Sequence, residues 1–532
     1  MTDERSPDSQ LLEARTSDGL TLADLARELP SAVLHGDGSV RVFGVQHDSR
    51  RVLPGDLFVV RRGEKFDGRA FVPDAMARGA VALLVDKAGS EQAWPCPSIE
   101  VDDLAVAMAY AAAAVYGHPA FSLDVVGVTG TNGKTTTTHL VQTAIDGALG
   151  GPFCGVVGTV GHKYAGQVIP AAHTTPESDE LARVLAIMKK RGATHVAMEV
   201  SSIALVLQRV KAVRFRVAAF TNLTQDHLDF HGSMDAYAAA KMELFTTMGP
   251  GLAVVNVSDP FGARIAATAR CKVFRVAVRP GAPEAETADI AAISAEPTPS
   301  GTHLVARVLG RTIDLKTRLM GAHNVENILV ALGIVAALEL DVDRAAAALA
   351  NEGGPPGRLE RCDGPDDDIA VLVDYAHTPD ALVNVLAGLR PEPGARLICV
   401  FGCGGDRDPK KRRPMGEAVG AGAHIAIVTS DNPRTESPEA IAVPVEEGVR
   451  EQGMTKLEAA DLATASRGYL VELDRKKAIE LAVLGARPRD IVLVAGKGHE
   501  DYQIIGTTKR PFDDRAVSRE ALAARRAPKG IA

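Results

Sequence analysis

The stretch VVGVTGTNGKTTTTHL, residues 125–140, constrains this chain more than any other. An apolar run suited to burial, DVVGV (124–128), passes into Gly130-Thr131-Asn132-Gly133-Lys134-Thr135-Thr136 and then into TTTTHLVQTAIDGA, a helix pattern. In a strand–loop–helix unit of this kind the glycines let backbone N–H groups wrap phosphate oxygens, and the helix N-terminus adds its dipole. Lys134 would reach the β- and γ-phosphates and Thr135 could ligate magnesium. The generic GxxxxGK[ST] spacing is not strictly met, because Val128 stands where its first glycine should be. The alternative is a glycine-containing turn with a surface lysine. A phosphate loop implies a nucleoside triphosphate but leaves kinases, GTPases, motors and ligases open.

At 532 residues the chain is too long for one ordinary domain, and typical sizes suggest roughly three. Residues 1–18 are polar and without periodicity, and read as a disordered N-terminus. A first α/β domain is expected over 19–119, with strands at DLFVV (56–60) and AVALLV (80–85), a helix near 102–116 and a breaker at Gly117-His118-Pro119. The phosphate-loop domain follows over 120–355, with further strands at HVAMEV (195–200) and RVAAFT (216–221). It has an excursion or loop at 280–300 and a helix near 324–339. Gly353-Gly354-Pro355-Pro356-Gly357 marks the second boundary. The remainder, 356–532, alternates helices with the continuous apolar strands IAVLVD (369–374), RLICVF (396–401), HIAIVT (424–429) and DIVLVA (490–495). That rhythm predicts a mostly parallel, doubly wound Rossmann-like sheet, whose ligands sit at the carboxyl ends of the strands.

Hydrophobic residues make up 46% of the chain and charged residues 24%, an ordinary globular composition. The net charge of -8 and the lack of a basic run argue against nucleic-acid binding. The six cysteines fit neither a zinc site nor a disulfide framework, and read as thiols of a reducing compartment. The polar start MTDERSPDSQ lacks the apolar core of a signal peptide, and LAVAMAYAAAAVYG (104–117) is too short to span a bilayer. The expected location is the cytoplasm, without membrane insertion.

GTNGKTT is the first of several phrases that resemble the Mur ligases of peptidoglycan synthesis. MEVSS (198–202), TNLTQDHLDFHG (221–232), AAKMELF (239–245), NVEN (324–327) and GRLE (357–360) follow in that family's order. DYAHTP (374–379), FGCGGDRD (401–408), SDNPR (430–434) and AGKGHEDYQ (495–503) complete it, so the resemblance covers nearly everything from about 40 to 520. It implies a three-domain fold and an ADP-forming ligase that uses ATP and Mg2+. The implied substrates are a UDP-N-acetylmuramoyl-dipeptide and an incoming amino acid. The SDNPR phrase points to meso-diaminopimelate as that amino acid. A monomer is expected.

The family's site residues carry over position by position. Gly130 to Thr136 form the ATP loop. Glu199 and His227 match metal-site ligands, and Lys241 matches the lysine that the family carbamylates, which turns a cation into a magnesium-binding carboxylate. Asn324 and Asn327 resemble adenine-side residues, although an asparagine pair at this spacing could equally cap a helix. Arg358 and Asp374 resemble residues that hold phosphate and ribose, and His377 lies in the same phrase. Ser49, Thr174, Thr175, Ser201 and Arg209 match positions that bind the nucleotide sugar. Arg407, Asp431, Asn432, Pro433, Arg434, Gly496 and Glu500 match positions that bind the amino acid. For Arg434 the alternative is a surface arginine paired with Glu436. Three residues depart from the family pattern: Ile203 for a histidine, Leu207 for a glutamine and His323 for a phenylalanine. The first two bear on contacts to the muramoyl-peptide.

Amide formation from a free carboxylate needs a better leaving group than hydroxide. The resemblance implies that the substrate's glutamate carboxylate attacks the γ-phosphate of ATP, giving an acyl phosphate and ADP, after which the amine displaces phosphate. The rival readings are the lysine-adding homologue, another Mur ligase or a folylpolyglutamate synthase, a non-catalytic scaffold relative, and a simple P-loop kinase or motor.

Overall fold

The structure is a computed structural model that describes residues 12–62, 67–87, 94–298, 301–389 and 391–526. Two compact units form, one over residues up to 293 with 305–313 and 327–349, the other over 294–304, 314–326 and from 350 onward.

In the first unit, the strand before the phosphate loop, Asp124–Thr129, is buried almost throughout. It lies between two parallel neighbours, His195–Glu199 on one side and Phe215–Phe220 on the other. Cys154–Gly158 flanks the former, and Leu252–Asn256 then Lys272–Ala277 follow the latter, all parallel. The chain therefore leaves the Asp124–Thr129 strand towards one side and later returns to its other side. That reversal opens a crevice at the carboxyl end of this strand. Val and Ala runs suit these positions because both faces of a parallel sheet are covered.

The N-terminal sheet orders its strands as Val33–His35, Ser98–Val101, Ala82–Asp86, Asp56–Val59 and Gly44–Gln46. Its helix Leu104–Val115 is alanine-rich, and shares an apolar cluster with Ala182, Ala186 and Ile187 of the helix Ser178–Lys190. Small side chains let these helices approach closely, which ties the N-terminal sheet to the central one.

The second unit holds a sheet ordered Glu360–Arg361, Ala370–Asp374, Ile491–Ala495, Leu397–Phe401, Ile425–Val428 and Gly468–Val471. All its pairs are parallel except the first. This is the doubly wound arrangement expected from the alternating apolar runs, and the whole is the mixed α/β class expected.

Two expectations need correction. The 280–300 segment is no simple loop: it contains the short helix Glu284–Thr287 and the nine-residue strand Ile290–Thr298. Its Pro, Glu and Ser content masked an exposed strand end, while residues 299 and 300 lie outside the described residues. The disorder expected over 1–18 does not extend through 12–18. Ala14 is buried, Arg15 hydrogen-bonds Asp56 and the Pro54 carbonyl, and Glu13 receives two bonds from Arg191. Residues 1–11 lie outside the described residues.

Candidate active site

The crevice at the end of Asp124–Thr129 is lined by the predicted loop. Gly133 has φ +87°, a left-handed conformation that favours glycine, and a Cβ there would stand 2.4 Å from Asn327 Oδ1. A Cβ on Gly130 would stand 1.9 Å from Thr221 Oγ1. Both glycines are therefore required by close approach. The neighbouring strand end holds the loop: Thr131 N–H donates to the Asn222 carbonyl (2.8 Å), and Asn132 N–H to Asn222 Oδ1 (2.9 Å). Lys134 Nζ folds back on the loop and donates to the Gly130 and Thr131 carbonyls, each at 2.9 Å.

Glu199 ends the adjacent strand, 1% exposed. Its carboxylate accepts from Thr135 Oγ1 (3.0 Å), from Thr159 N–H (2.8 Å) and from Thr159 Oγ1 (3.2 Å). Lys241 is also 1% exposed; its Nζ donates to the Gly130 carbonyl (2.8 Å) and lies over the Tyr237 ring. Burial, reinforced by the charge of Lys134, holds its pKa well below the usual lysine range. His227 has a left-handed backbone (φ 52°) and stands 3.4 Å from Asp226. Burial first, then the charges of Lys134 and Lys241, lower its pKa despite Asp226. Asn327 accepts from Thr137 Oγ1 at 3.1 Å, which places it against the loop helix.

A second group hangs on the backbone of Glu199. Thr175 Oγ1 donates to the Glu199 carbonyl (2.8 Å) and accepts from Ser201 N–H (3.0 Å), while Thr174 Oγ1 accepts from Thr159 Oγ1 (3.0 Å). Arg209 donates to the Thr175 carbonyl and pairs with Glu177 at 2.7 Å. Glu177 also pairs with Arg61 of the N-terminal segment, and Asp179 with His47. Ser49 is held separately, buried at the head of a 3-10 turn that Asp48 caps. Ile203 and Leu207 sit on the short turn after Ser201, with Leu207 exposed.

In the second unit, Asp374 ends its strand buried, and its carboxylate accepts from the Leu359 and Ala376 N–H groups at 2.7 and 2.8 Å. Burial raises its pKa against the pull of Arg358 and His323. Arg358 stacks over Tyr375, whose carbonyl bonds His377 Nδ1. Asn324 donates to the Met320 carbonyl, a local helix-start bond. At the other strand ends, Asn432 Nδ2 donates to Glu500 Oε2 (3.0 Å), and Arg434 Nη1 to the Gly405 carbonyl (2.7 Å). Gly496, φ 122°, lies beside Asp431, and Pro433 is buried. Arg407 is exposed. Glu436 pairs with Arg412, at 2.8 Å, so the alternative reading of Arg434 as its partner is set aside.

Residue patterns missed Thr159, which braces Glu199, and Tyr237, whose hydroxyl meets Thr131. They also missed Lys497, buried completely between Asp431 and Asn432. Thr159 follows a strand that ends in glycine and carries no motif. Lys497 lay in plain sight within AGKGHE.

Among the described residues no group of three or more His, Cys, Asp and Glu side chains gathers to hold a metal by itself. The Glu199 carboxylate and Thr135 hydroxyl, 3.0 Å apart, are nevertheless hard oxygen donors. They fit magnesium, which is ordinarily bound by one or two carboxylates together with waters and substrate phosphates.

A glycine-rich anion loop at the switch point of a parallel sheet, with a buried acid and two lysine side chains on it, defines a P-loop enzyme that uses a nucleoside triphosphate. Family matches cover most of the chain: the Mur ligase family catalytic domain at 41–116, the Mur ligase middle domain at 128–335, and the Mur ligase glutamate ligase domain at 357–498. The UDP-N-acetylmuramoyl-L-alanyl-D-glutamate–2,6-diaminopimelate ligase of Gloeobacter violaceus is 45% identical over 489 residues, covering 92% of this chain and 95% of that one. The ligase of the same name from Streptomyces coelicolor is 44% identical, covering 94% and 96%. A solved structure of a ligase of that name superposes with a TM-score of 0.65 at 31% identity, covering 95% of this chain and 99% of that one. The Thermotoga maritima MurF ligase in complex with ADP shares the fold, with a TM-score of 0.60 at 19% identity, covering 91% and 96%. The chain belongs to the Mur ligase family, and it is an ATP-dependent ligase.

Proposed function

We propose that this ligase adds meso-2,6-diaminopimelate to UDP-N-acetylmuramoyl-L-alanyl-D-glutamate, forming the third peptide bond of a peptidoglycan precursor. The carrying observation is likeness along nearly the whole chain to enzymes of that name, at 41–45% identity, with SDNPR intact at a strand end.

The chemistry follows from the residues. The substrate's glutamate carboxylate oxygen attacks the γ-phosphorus of ATP, the bond to the β,γ-bridging oxygen breaks, and ADP leaves. The amine nitrogen then attacks the acyl phosphate carbon, phosphate departs and the amine loses a proton. Lys134 and the N–H groups of residues 133–136, at the start of the loop helix, would hold the triphosphate and stabilise the transferring phosphoryl group. Thr135, Glu199, His227 and a carbamylated Lys241 would hold magnesium, which neutralises charge crowded between carboxylate and triphosphate. Thr174, Thr175, Ser201, Arg209 and Ser49 would hold the nucleotide sugar. The bond from Thr175 to the Glu199 carbonyl supports this for Thr175, since it couples the acceptor site to the metal-binding acid. Asn324, Asn327, Arg358, Asp374 and His377 would serve the nucleotide, and Arg407, Asp431 to Arg434, Gly496 and Glu500 the amino acid. Domain limits at 119/120 and 355/356, a cytoplasmic location and a monomeric state belong to the same proposal. Among the described residues no helix is long and apolar enough to cross a membrane.

The test is ADP release with UDP-N-acetylmuramoyl-L-alanyl-D-glutamate and each candidate amino acid. Stimulation by meso-diaminopimelate is expected. Release without any amino acid would instead favour a motor or kinase, and no release a scaffold.

A further inference from the structure

Lys497 is 0% exposed, yet it does not serve the fold in the way the buried Arg475 does. Arg475 is bound in bidentate fashion by Asp514, at 2.6 and 2.8 Å, and that pair joins two helices. Lys497 instead spends its donors on the strand-end residues read above as the amino-acid site. Its Nζ donates to Asn432 Oδ1 (2.9 Å) and to the Tyr502 carbonyl (2.8 Å), and stands 3.3 Å from Asp431 Oδ1.

The bond to Asn432 has a consequence for orientation. A carboxamide can present either its oxygen or its NH2 group to a neighbour. Asn432 Oδ1 meets two groups that can only donate, the Lys497 ammonium and the Ile504 N–H, the latter also at 2.9 Å. The oxygen must therefore face them, and the NH2 group is turned onto Glu500 Oε2, 3.0 Å away. We propose that Lys497 is a positioning residue of the amino-acid site, which locks the Asn432 carboxamide in one orientation and thereby fixes the Glu500 carboxylate that receives the incoming ammonium group. Removing it leaves Ile504 and Glu500 to set the amide, and also takes away an ammonium group that stands 3.8 Å from Glu500 Oε2. The inference rests on the assignment of Glu500 and Asn432 to the amino acid.

The groups acting on Glu500 are Asp431, Lys497, Arg434 and the Asn432 amide, with Tyr375, Tyr502 and Arg475 in electrostatic reach. Steady-state kinetics of three variants test the arrangement. Lys497→Met keeps an unbranched side chain, one atom shorter, and removes its charge. It should raise KM for diaminopimelate about ten- to a hundredfold, the usual worth of a hydrogen bond to a charged group. KM for ATP and for the UDP-linked dipeptide should stay within about twofold. Asn432→Asp keeps the acceptor for Lys497 but turns an oxygen onto Glu500. It should move the acidic limb of kcat/KM for the amino acid to higher pH. Equal rises in all three KM values for Lys497→Met, or an unmoved acidic limb for Asn432→Asp, would overturn the proposal. If Lys497→Met fails to fold, Lys497→Gln is measured in its place and read in the same way. Glu500→Gln separates the underlying assignment: an unchanged amino-acid KM there would sink both readings. A raised KM there, beside a normal one for Lys497→Met, would sink only this one.

Discussion

The ammonium groups of Lys134 and Lys241 donate to the same oxygen, the Gly130 carbonyl, at 2.9 and 2.8 Å. Two full positive charges on one buried acceptor would repel, and the depressed pKa of Lys241 resolves the conflict. Lys241 is sealed in beside Tyr237, whereas Lys134 is partly exposed at the loop. Lys241 is therefore biased towards the neutral amine.

For Lys134 this predicts a severe and local effect. The two carbonyls it bonds, those of Gly130 and Thr131, belong to its own loop, so Lys134→Ala should leave the melting temperature nearly unchanged. Turnover should fall on the order of 10³-fold or more, as for other removed phosphoryl stabilisers. Near-normal turnover in the folded variant would dismiss the loop as the ATP site.

Lys241 should behave differently, because a neutral amine is the form that adds carbon dioxide. The product, a carbamate anion formed with loss of one proton, would bring a negative charge close to that of Lys134. Lys241→Ala should be inactive, and a short carboxylic acid supplied with magnesium should restore part of the activity. Mass spectrometry of intact protein in bicarbonate should find the added carbon dioxide on the wild type but not on the variant. An active Lys241→Ala would refute the role.

The parts of this site that sit at strand ends were legible in the sequence, because an apolar run followed by Gly, Asp or Asn announces both the strand and its edge. Asp374, Glu199 and the 431–434 phrase fall where that rule puts them. The Lys241 burial was not legible. A lysine within an alanine-rich helix reads as a solvated side chain, and only the tertiary approach of Gly130 and Tyr237 encloses it. The strand Ile290–Thr298 escaped for a related reason, since its polar outer half carries none of the alternation that marks a half-buried strand. Thr159 and Lys497 act through partners distant in sequence, which periodicity cannot reveal.

His162 lies in the strand Gly161–Tyr164, 1% exposed, and neither ring nitrogen has a hydrogen-bond partner among the described residues. Burial first, then the charge of Arg183, pushes its pKa down to about 4 from 6.5. The unfolded chain therefore binds a proton that the folded chain refuses. Stability should be unaffected by this group above pH 6.5 and should fall as the pH drops from 6.5 towards 4. A shift of that size corresponds to about 3 kcal/mol at the acidic end. In urea titrations from pH 7 to pH 4, His162→Leu should lose less stability than the wild type by roughly that amount. Parallel curves for the two proteins would show that the ring finds a partner when protonated.

The choice between diaminopimelate and lysine should rest on Arg434. The two amino acids differ by one carboxylate at the far end of the side chain, and a guanidinium fork is the group that matches a carboxylate. Arg434 is held for that task by its backbone. Its φ of 52° is unusual for a side-chain-bearing residue, and two bonds maintain it: Arg434 N–H to the Ile504 carbonyl (3.1 Å) and Gly506 N–H to the Arg434 carbonyl (2.7 Å). Gly404 leaves room beside the guanidinium, where a Cβ would stand 3.0 Å from Nη1. Glu436, its neighbour in sequence, pairs with Arg412 instead. Lysine binding would cover Arg434 without giving it a carboxylate, and an unpaired buried charge costs about 3–5 kcal/mol. Arg434 is only half-buried, so solvent softens the penalty, and the preference should sit at the lower end, about a hundredfold. Arg434→Ala should raise KM for diaminopimelate by a similar factor and narrow the gap to lysine, with KM for ATP unchanged. ADP release measured with both amino acids in parallel decides it: equal or better use of L-lysine by the unmutated protein would reverse the assignment.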